Sequence, residues 1–288
     1  MVVTPANNMD IIDPHLHLFD LHAGDYHWLN ADQPPHWPDK SVIRKNFSED
    51  DLQLPASIQL TGLVHIEAGF DNNQPEREIQ WLQQHLHKPF KSIAFADLSA
   101  QNFAQQCQTL LNQGSVIGIR HILDDQAHAI LGQNISQQNL AYLAQQNLLF
   151  ECQAALHDKR NISGLLHVLS TNPNLQVVVN HCGLQQNQLT PTMHQHLTAL
   201  ANTGQVAIKC SGWEMRDRQW QDAEMQQIVL QLLDIFGEQQ VMLASNFPLT
   251  LFSRSYQQLW QSYLTIPVPE TTLNAICHDN AKRIYRFD

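Results

Sequence analysis

The chain has 288 residues, 43% of them hydrophobic, which is ample for the core of one large α/β domain. Acidic residues outnumber basic ones by 27 to 16, and the formal net charge of -11 argues against a nucleic-acid partner and against adsorption to anionic membranes. Five widely spaced cysteines with no Cys-x-x-Cys disfavour a disulfide framework or a zinc finger and fit a reducing cytosol.

Residues 1–10 carry no basic residue and no apolar h-region, so no signal peptide is expected there. No apolar run is long enough to span a bilayer, and a cytoplasmic location is expected. A first strand is predicted over 11–17 (IIDPHLH) and a second over 62–68 (GLVHIEA). Pro75 then opens a helix in its first turn. A strand over 91–97 leads to a helix with Ser99 as N-cap and Gly114 as its stop. The strand over 116–122 precedes a helix capped by Ser136, and the one over 148–154 precedes a helix ending before Pro173. The strand over 175–183 is followed by a helix opened by Thr190 and Pro191 and closed by Gly204. After a strand over 205–212, a helix is predicted from about 222 to 236. VMLASNFP (241–248) comes last, with helical segments to the C-terminus.

Eight such strand signals alternate with helices, over a length near the roughly 250 residues of a (β/α)₈ TIM barrel. The strands are continuously apolar, as parallel strands buried on both faces should be. An open doubly wound sheet is the alternative, but no Gly-x-Gly-x-x-Gly turn and no phosphate loop is present. One domain over 1–288 is expected. The segment 26–55 breaks the rhythm, being rich in Pro, Trp and His. Long irregular loops inside compact domains are often functional. After strand one it would lie at the C-terminal face, either as a lid carrying Trp28 and Trp37 or as a loop packed on the barrel.

The candidate chemistry sits at strand ends. Asp13, His15 and His17 alternate along the first strand and are expected on one face. His181 and Asn246 close two later strands, and polar residues at several strand ends of a barrel converge on one pocket. Neutral imidazoles are good ligands for Zn²⁺ and similar ions.

The segments DPHLH, VHIEAG (64–69), GIRH (118–121), NHCG (180–183), KCSG (209–212), ASNFP and NAKRIYRF (280–287) span nearly the whole chain in order. In that ordered set the chain resembles the amidohydrolase-related metal-dependent hydrolases. Within them it resembles the lactonase-like branch that includes L-fuconolactonase, L-rhamnonolactonase and pyrone-dicarboxylate lactonase. The resemblance implies a (β/α)₈ barrel, with His15 and His17 as the first-strand pair, His181 as the sixth-strand histidine and Asn246 at the eighth-strand aspartate position. One divalent ion, zinc first, would be held by His15, His17 and His181. A metal-free site is the alternative, because lactonase-like relatives include metal-independent enzymes. The fourth strand lacks a bridging lysine and the fifth a histidine, which argues against two metals.

The expected activity is hydrolysis of a small cyclic ester, a sugar-derived lactone, at the barrel mouth. It needs a polarised carbonyl, an activated water and a stabilised oxyanion. Arg120, Lys209, Trp28 and Glu151 are expected at the substrate. Asn246 cannot take a proton at neutral pH. Three readings of it stand: it orients the water, it ligates through its carbonyl oxygen, or the chemistry has been lost. Glu67 and His181 are the expected bases. Against these roles, Asp13 could only cap backbone amides, and Glu67 could fix a histidine tautomer. Arg120 could pair with Glu151, and Lys209 could be a buried ion-pair partner. Cys182 and Cys210 read as small buried hydrophobes. His85, His87, His194 and His196 read as helix-surface residues, and Trp81 and Trp260 as helix packing. Two rival functions remain: a one-metal hydrolase or decarboxylase of a small carboxylic acid, and a barrel that binds a ligand without turnover.

Overall fold

In the computed structural model, which describes residues 8–288, eight parallel strands form one sheet in the order of the chain. The strands are β1 (Met9–Leu16), β2 (Ile58–Ile66), β3 (Phe90–Phe95), β4 (Val116–Asp124), β5 (Leu149–Ala154), β6 (Val177–Val179), β7 (Val206–Cys210) and β8 (Val241–Leu243). The helices are α1 (Glu76–His85), α2 (Phe103–Leu111), α3 (Ala127–Leu131), α4 (Asn134–Gln145), α5 (Lys159–Thr171), α6 (Pro191–Ala201), α7 (Trp213–Arg216), α8 (Asp222–Phe236), α9 (Tyr256–Tyr263), α10 (Glu270–Asn274) and α11 (Asn280–Ile284). This is a (β/α)₈ barrel. The expectation for residues 1–10 falls partly on residues 1–7, which lie outside the described ones. Among the described residues no helix is long and apolar enough to cross a membrane.

β1 and β8 share no ladder; they meet at their tips. The amide of Asn246 donates to His15 O (2.8 Å), that of His17 donates to Phe247 O (2.7 Å), and Leu16 and Phe247 form an isolated parallel bridge.

Side chains two apart along a strand share a face. Ile12, Val64, Ile93, Leu149, Val178, Ala207 and Met242 pack together as an apolar layer inside the barrel, closed from below by Ala281 and Tyr285. Two residues further along, Leu149 gives way to Glu151, Val178 to Asn180 and Ala207 to Lys209. The interior therefore becomes polar toward the C-terminal ends. The opposite faces, including Phe150, Ile208 and Leu243, pack in the outer core with helix residues such as Leu140, Leu165 and Leu232.

Some helix starts differ from expectation. Ser99 is tied to the Asp97 carboxylate, and α2 begins only at Phe103. Ser136 is buried inside α4, whose N-cap Gln133 makes no side-chain cap bond. The Thr190 cap stands, its hydroxyl accepting from Met193 N with Pro191 in the first turn. In α5 the Asp158 carboxylate does the same for Arg160 N.

The segment 26–55 holds three 3₁₀ turns (His27–Leu29, Lys40–Val42, Glu49–Asp51). Lys40 is buried and donates to the carbonyls of Trp28, Asn30 and Gln33, which folds the loop on itself. Trp28 Nε1 donates to Ala68 O (2.7 Å), and Arg218 binds Asp39 from the far side of the mouth. The loop is thus anchored on both sides.

Candidate active site

A cavity of about 910 Å³ opens at the C-terminal ends of the strands. His17, Glu67, Arg120, Asn180, His181 and Asn246 line it, and the 26–55 segment adds Trp28, Pro34, Pro35 and Trp37. Residues far apart in sequence meet here because they lie within or just beyond the strands on the inward side of the barrel mouth. His15 lies close by, its ring 5.2 Å from that of His17 and 4.6 Å from that of His181, centroid to centroid.

Asp13 does not share their face. The β1–β2 register shifts between Asp13 and Leu16, so the inward positions run from Ile12 to His15 rather than from Asp13. Asp13 accepts instead from the amides of His15 (3.2 Å) and Ser245 (3.0 Å), fastening β1 to the turn after β8. Burial pushes its carboxyl up to about 6.

Each histidine is oriented by a different partner. His17 Nδ1 donates to the carbonyl of Ile66 (2.8 Å), and since a carbonyl only accepts, Nε2 carries the lone pair. Lys209 Nζ approaches His15 Nδ1 at 3.4 Å as a donor, which leaves the ring hydrogen on Nε2, a buried atom with no partner. His181 Nδ1 meets Ser211 Oγ at 2.9 Å. All three are held well below the ordinary imidazole range, first by burial, with Lys209 next for His15 and Arg120 next for His17 and His181. They are uncharged at neutral pH.

Arg120 pairs with Glu67 and not with Glu151. Its Nε donates to Glu67 Oε1 and an Nη to Glu67 O, both at 2.8 Å. A guanidinium has five N–H donors, so three remain for the cavity. Burial raises the Glu67 carboxyl, against the pull of Arg120.

Lys209 and Glu151 lie beneath the cavity and do not line it. They form an ion pair at 2.8 Å with no solvent exposure on either side chain. Asn180 Nδ2 and Tyr285 OH also donate to Glu151. Burial brings Lys209 down to about 8, with Glu151 opposing.

Sequence reasoning missed the segment after β7. Arg216 lines the cavity and donates to His181 O (2.8 Å), Ser211 O (3.1 Å) and Asn187 Oδ1 (2.6 Å). It thereby braces the turn in which His181 and Cys182 both adopt positive φ, 53° and 60°. Glu214 is buried and accepts from Asn246 Nδ2 at 2.6 Å. The signal was present: WEMRDR follows the seventh strand, and loops there must face the barrel mouth. Cys182 and Cys210 are buried as expected. His85, His87 and His194 are exposed, though His87 lies beyond the end of α1, while His196 is half-buried with Nδ1 on Leu156 O.

Gly212 lets His181 sit where it does. Its φ is 69°, and a Cβ there would stand 2.8 Å from His181 Nδ1. Gly204 has φ 71° and open space around it. Gly204→Ala is expected to cost only the left-handed backbone penalty of about 1–2 kcal/mol. Gly212→Ala carries that penalty plus the clash. Thermal denaturation of the two variants checks this, and equal losses would show that the ring is not packed against Gly212.

The model of the amidohydrolase family matches residues 12–287. The chain belongs to the amidohydrolase family. A curated relative, the uncharacterized protein y4mH of Sinorhizobium fredii, is 28% identical over 298 residues, covering 97% of this chain and 99% of its own length. Among solved structures, an amidohydrolase from Burkholderia multivorans with bound zinc superposes with TM-score 0.82 at 18% identity, covering 96% of this chain and 99% of its own. A protein of Pseudomonas putida named as a 2-pyrone-4,6-dicarboxylic acid hydrolase reaches 0.74 at 19% identity, over 98% and 99%. The 2,6-dihydroxybenzoate decarboxylase of Rhizobium reaches 0.66 at 10%, over 98% and 99%. At these identities the likeness is one of fold.

The donor set fits a tightly held divalent ion poorly. Among the described residues no three His, Cys, Asp or Glu side chains gather as ligands. His15 is fully buried with Lys209 Nζ against its Nδ1 and does not line the cavity, and position 246 offers a neutral amide.

Proposed function

We propose that this amidohydrolase-family protein hydrolyses a small sugar-derived lactone, using its own side chains for the proton and charge work. The observation that carries the reading is the meeting of His17, His181 and the partly free Arg120 guanidinium in one cavity. Arg120 supplies donors for the carbonyl oxygen, where negative charge develops. His17 takes the proton of the attacking water at Nε2, its ring held by Ile66 O. This moves the base role from Glu67, which is engaged by Arg120, while His181 remains beside the reacting atoms. A lactone suits the site because alkoxide leaves with less help than an amine. Trp28 and Trp37 give the small ring a flat apolar wall. A small-molecule substrate is in keeping with the cavity, and a cytoplasmic setting with the reduced cysteines.

The zinc in the Burkholderia structure belongs to that protein. For this chain the metal-free alternative is favoured by the ligand set. The test is a panel of sugar lactones followed by acid release, with and without a chelator, beside elemental analysis of wild type and His15→Ala. Turnover of at least one lactone that survives chelation, with no stoichiometric metal, is expected. Stoichiometric zinc that disappears in His15→Ala would overturn the metal-free reading. Binding of a sugar acid with no turnover of any lactone would make the protein a ligand-binding barrel.

A further inference from the structure

We propose that Glu214 is a positioning residue, holding Asn246 with its side-chain oxygen turned to the cavity as a fixed hydrogen-bond acceptor. Glu214 stands in α7, just beyond β7, and is 1% exposed. It does not line the cavity; Asn246 does. Glu214 Oε1 accepts from Asn246 Nδ2 at 2.6 Å. With Glu214 Oε1 as the acceptor of this bond, the amide turns its NH₂ toward Glu214. Oδ1 is then the end left for the cavity.

The backbone of Asn246 is fixed separately. Its amide donates to His15 O at the seam between β1 and β8, and its φ is 57°. The remaining freedom is rotation of the side chain, and Glu214 removes it.

The cost of placing an acid here argues for a task. Glu214 Oε2 is buried and has no partner. Burial pushes the carboxyl up to about 7, with the Asn246 bond and the charges of Arg216 and Arg218 opposing. A glutamine would fill the same space without that cost, but it could bond either end of the Asn246 amide and would not choose between them.

The catalytic consequence rests on the lactone reading. Asn246 Oδ1 accepts one hydrogen of the attacking water while His17 takes the other as a proton. Position 246 then orients the water without being the base.

The test has a substrate-free arm. In protein labelled with ¹⁵N at asparagine, the side-chain amide of Asn246 is assigned by its loss in Asn246→Asp. Hydrogen bonding to a carboxylate should hold one of its protons downfield in wild type, and Glu214→Gln and Glu214→Asp, which weaken or withdraw the acceptor, should release it. With a lactone that is turned over, Glu214→Gln should lower kcat about tenfold at nearly constant KM, the size of one charged hydrogen bond. The exchange Glu214→Gln/Asn246→Asp, which returns one carboxylate and one amide to the pair, should recover much of that loss. An unmoved resonance in both Glu214 variants sinks the proposal whatever the substrate. So does a moved resonance with kcat and KM unchanged. A moved resonance in a protein that hydrolyses no lactone supports the hold on Asn246 and overturns the lactone reading instead.

Discussion

Replacing Lys209 with methionine is expected to lower stability by about 3–5 kcal/mol, because Glu151 is left as an uncompensated charge in the barrel interior. The pair is fully buried, and it touches water on neither side. Tyr285 and Asn180 still donate to Glu151 in the variant, which sets the loss toward the lower end. For a domain of this size each kcal/mol moves the melting midpoint by roughly 2–4 °C, so a fall of roughly 10 °C should be seen by calorimetry. The double substitution Lys209→Met/Glu151→Met should recover most of it, since hydrophobic replacement of a whole buried pair is often close to neutral. If the single variant melts within a degree of wild type, Lys209 is not carrying that charge.

The second large effect concerns turnover. Arg120→Met should reduce kcat/KM on a confirmed lactone about 10²–10³-fold, the usual loss on removing a donor from a developing oxyanion. Arg120 also compensates buried Glu67, so the single variant mixes two effects. Arg120→Met/Glu67→Gln removes the orphaned charge and should melt near wild type while the rate stays low. Arg120→Lys should rescue little, because one ammonium cannot serve Glu67 Oε1, Glu67 O and the substrate together. A double variant that regains the wild-type rate would move Arg120 out of the chemistry and into support of Glu67.

The barrel was legible because its strands are apolar on both faces and punctuated at regular intervals, a pattern few other folds produce. Strand lengths were less so. β6 and β8 have three residues each, where longer runs were expected: β6 stops where Asn180 ends its apolar run, and β8 leaves the ladder before Ala244. The placement of Asp13 failed for a local reason: the alternation rule assumes an unbroken register, and β1 breaks it between Asp13 and Leu16. Which carboxylate Arg120 chooses could not be read from spacing, since Glu67 is 53 residues away and Glu151 faces it on the adjacent strand. Glu214 was overlooked because a four-residue helix has no periodicity to mark its buried side.

The closure of the barrel has one more consequence. The first and last strands are joined by the backbone bonds of His15, His17, Asn246 and Phe247. These residues carry two of the three imidazoles and the amide of the candidate site, so the ring is closed by parts of that site. A nascent or partly unravelled chain has His15 and His17 at one end and Asn246 at the other, some 230 residues apart. On the proposed function such a chain would be inert, and turnover would begin only when the last strand docks. Under that reading, turnover reports that the circle has been completed.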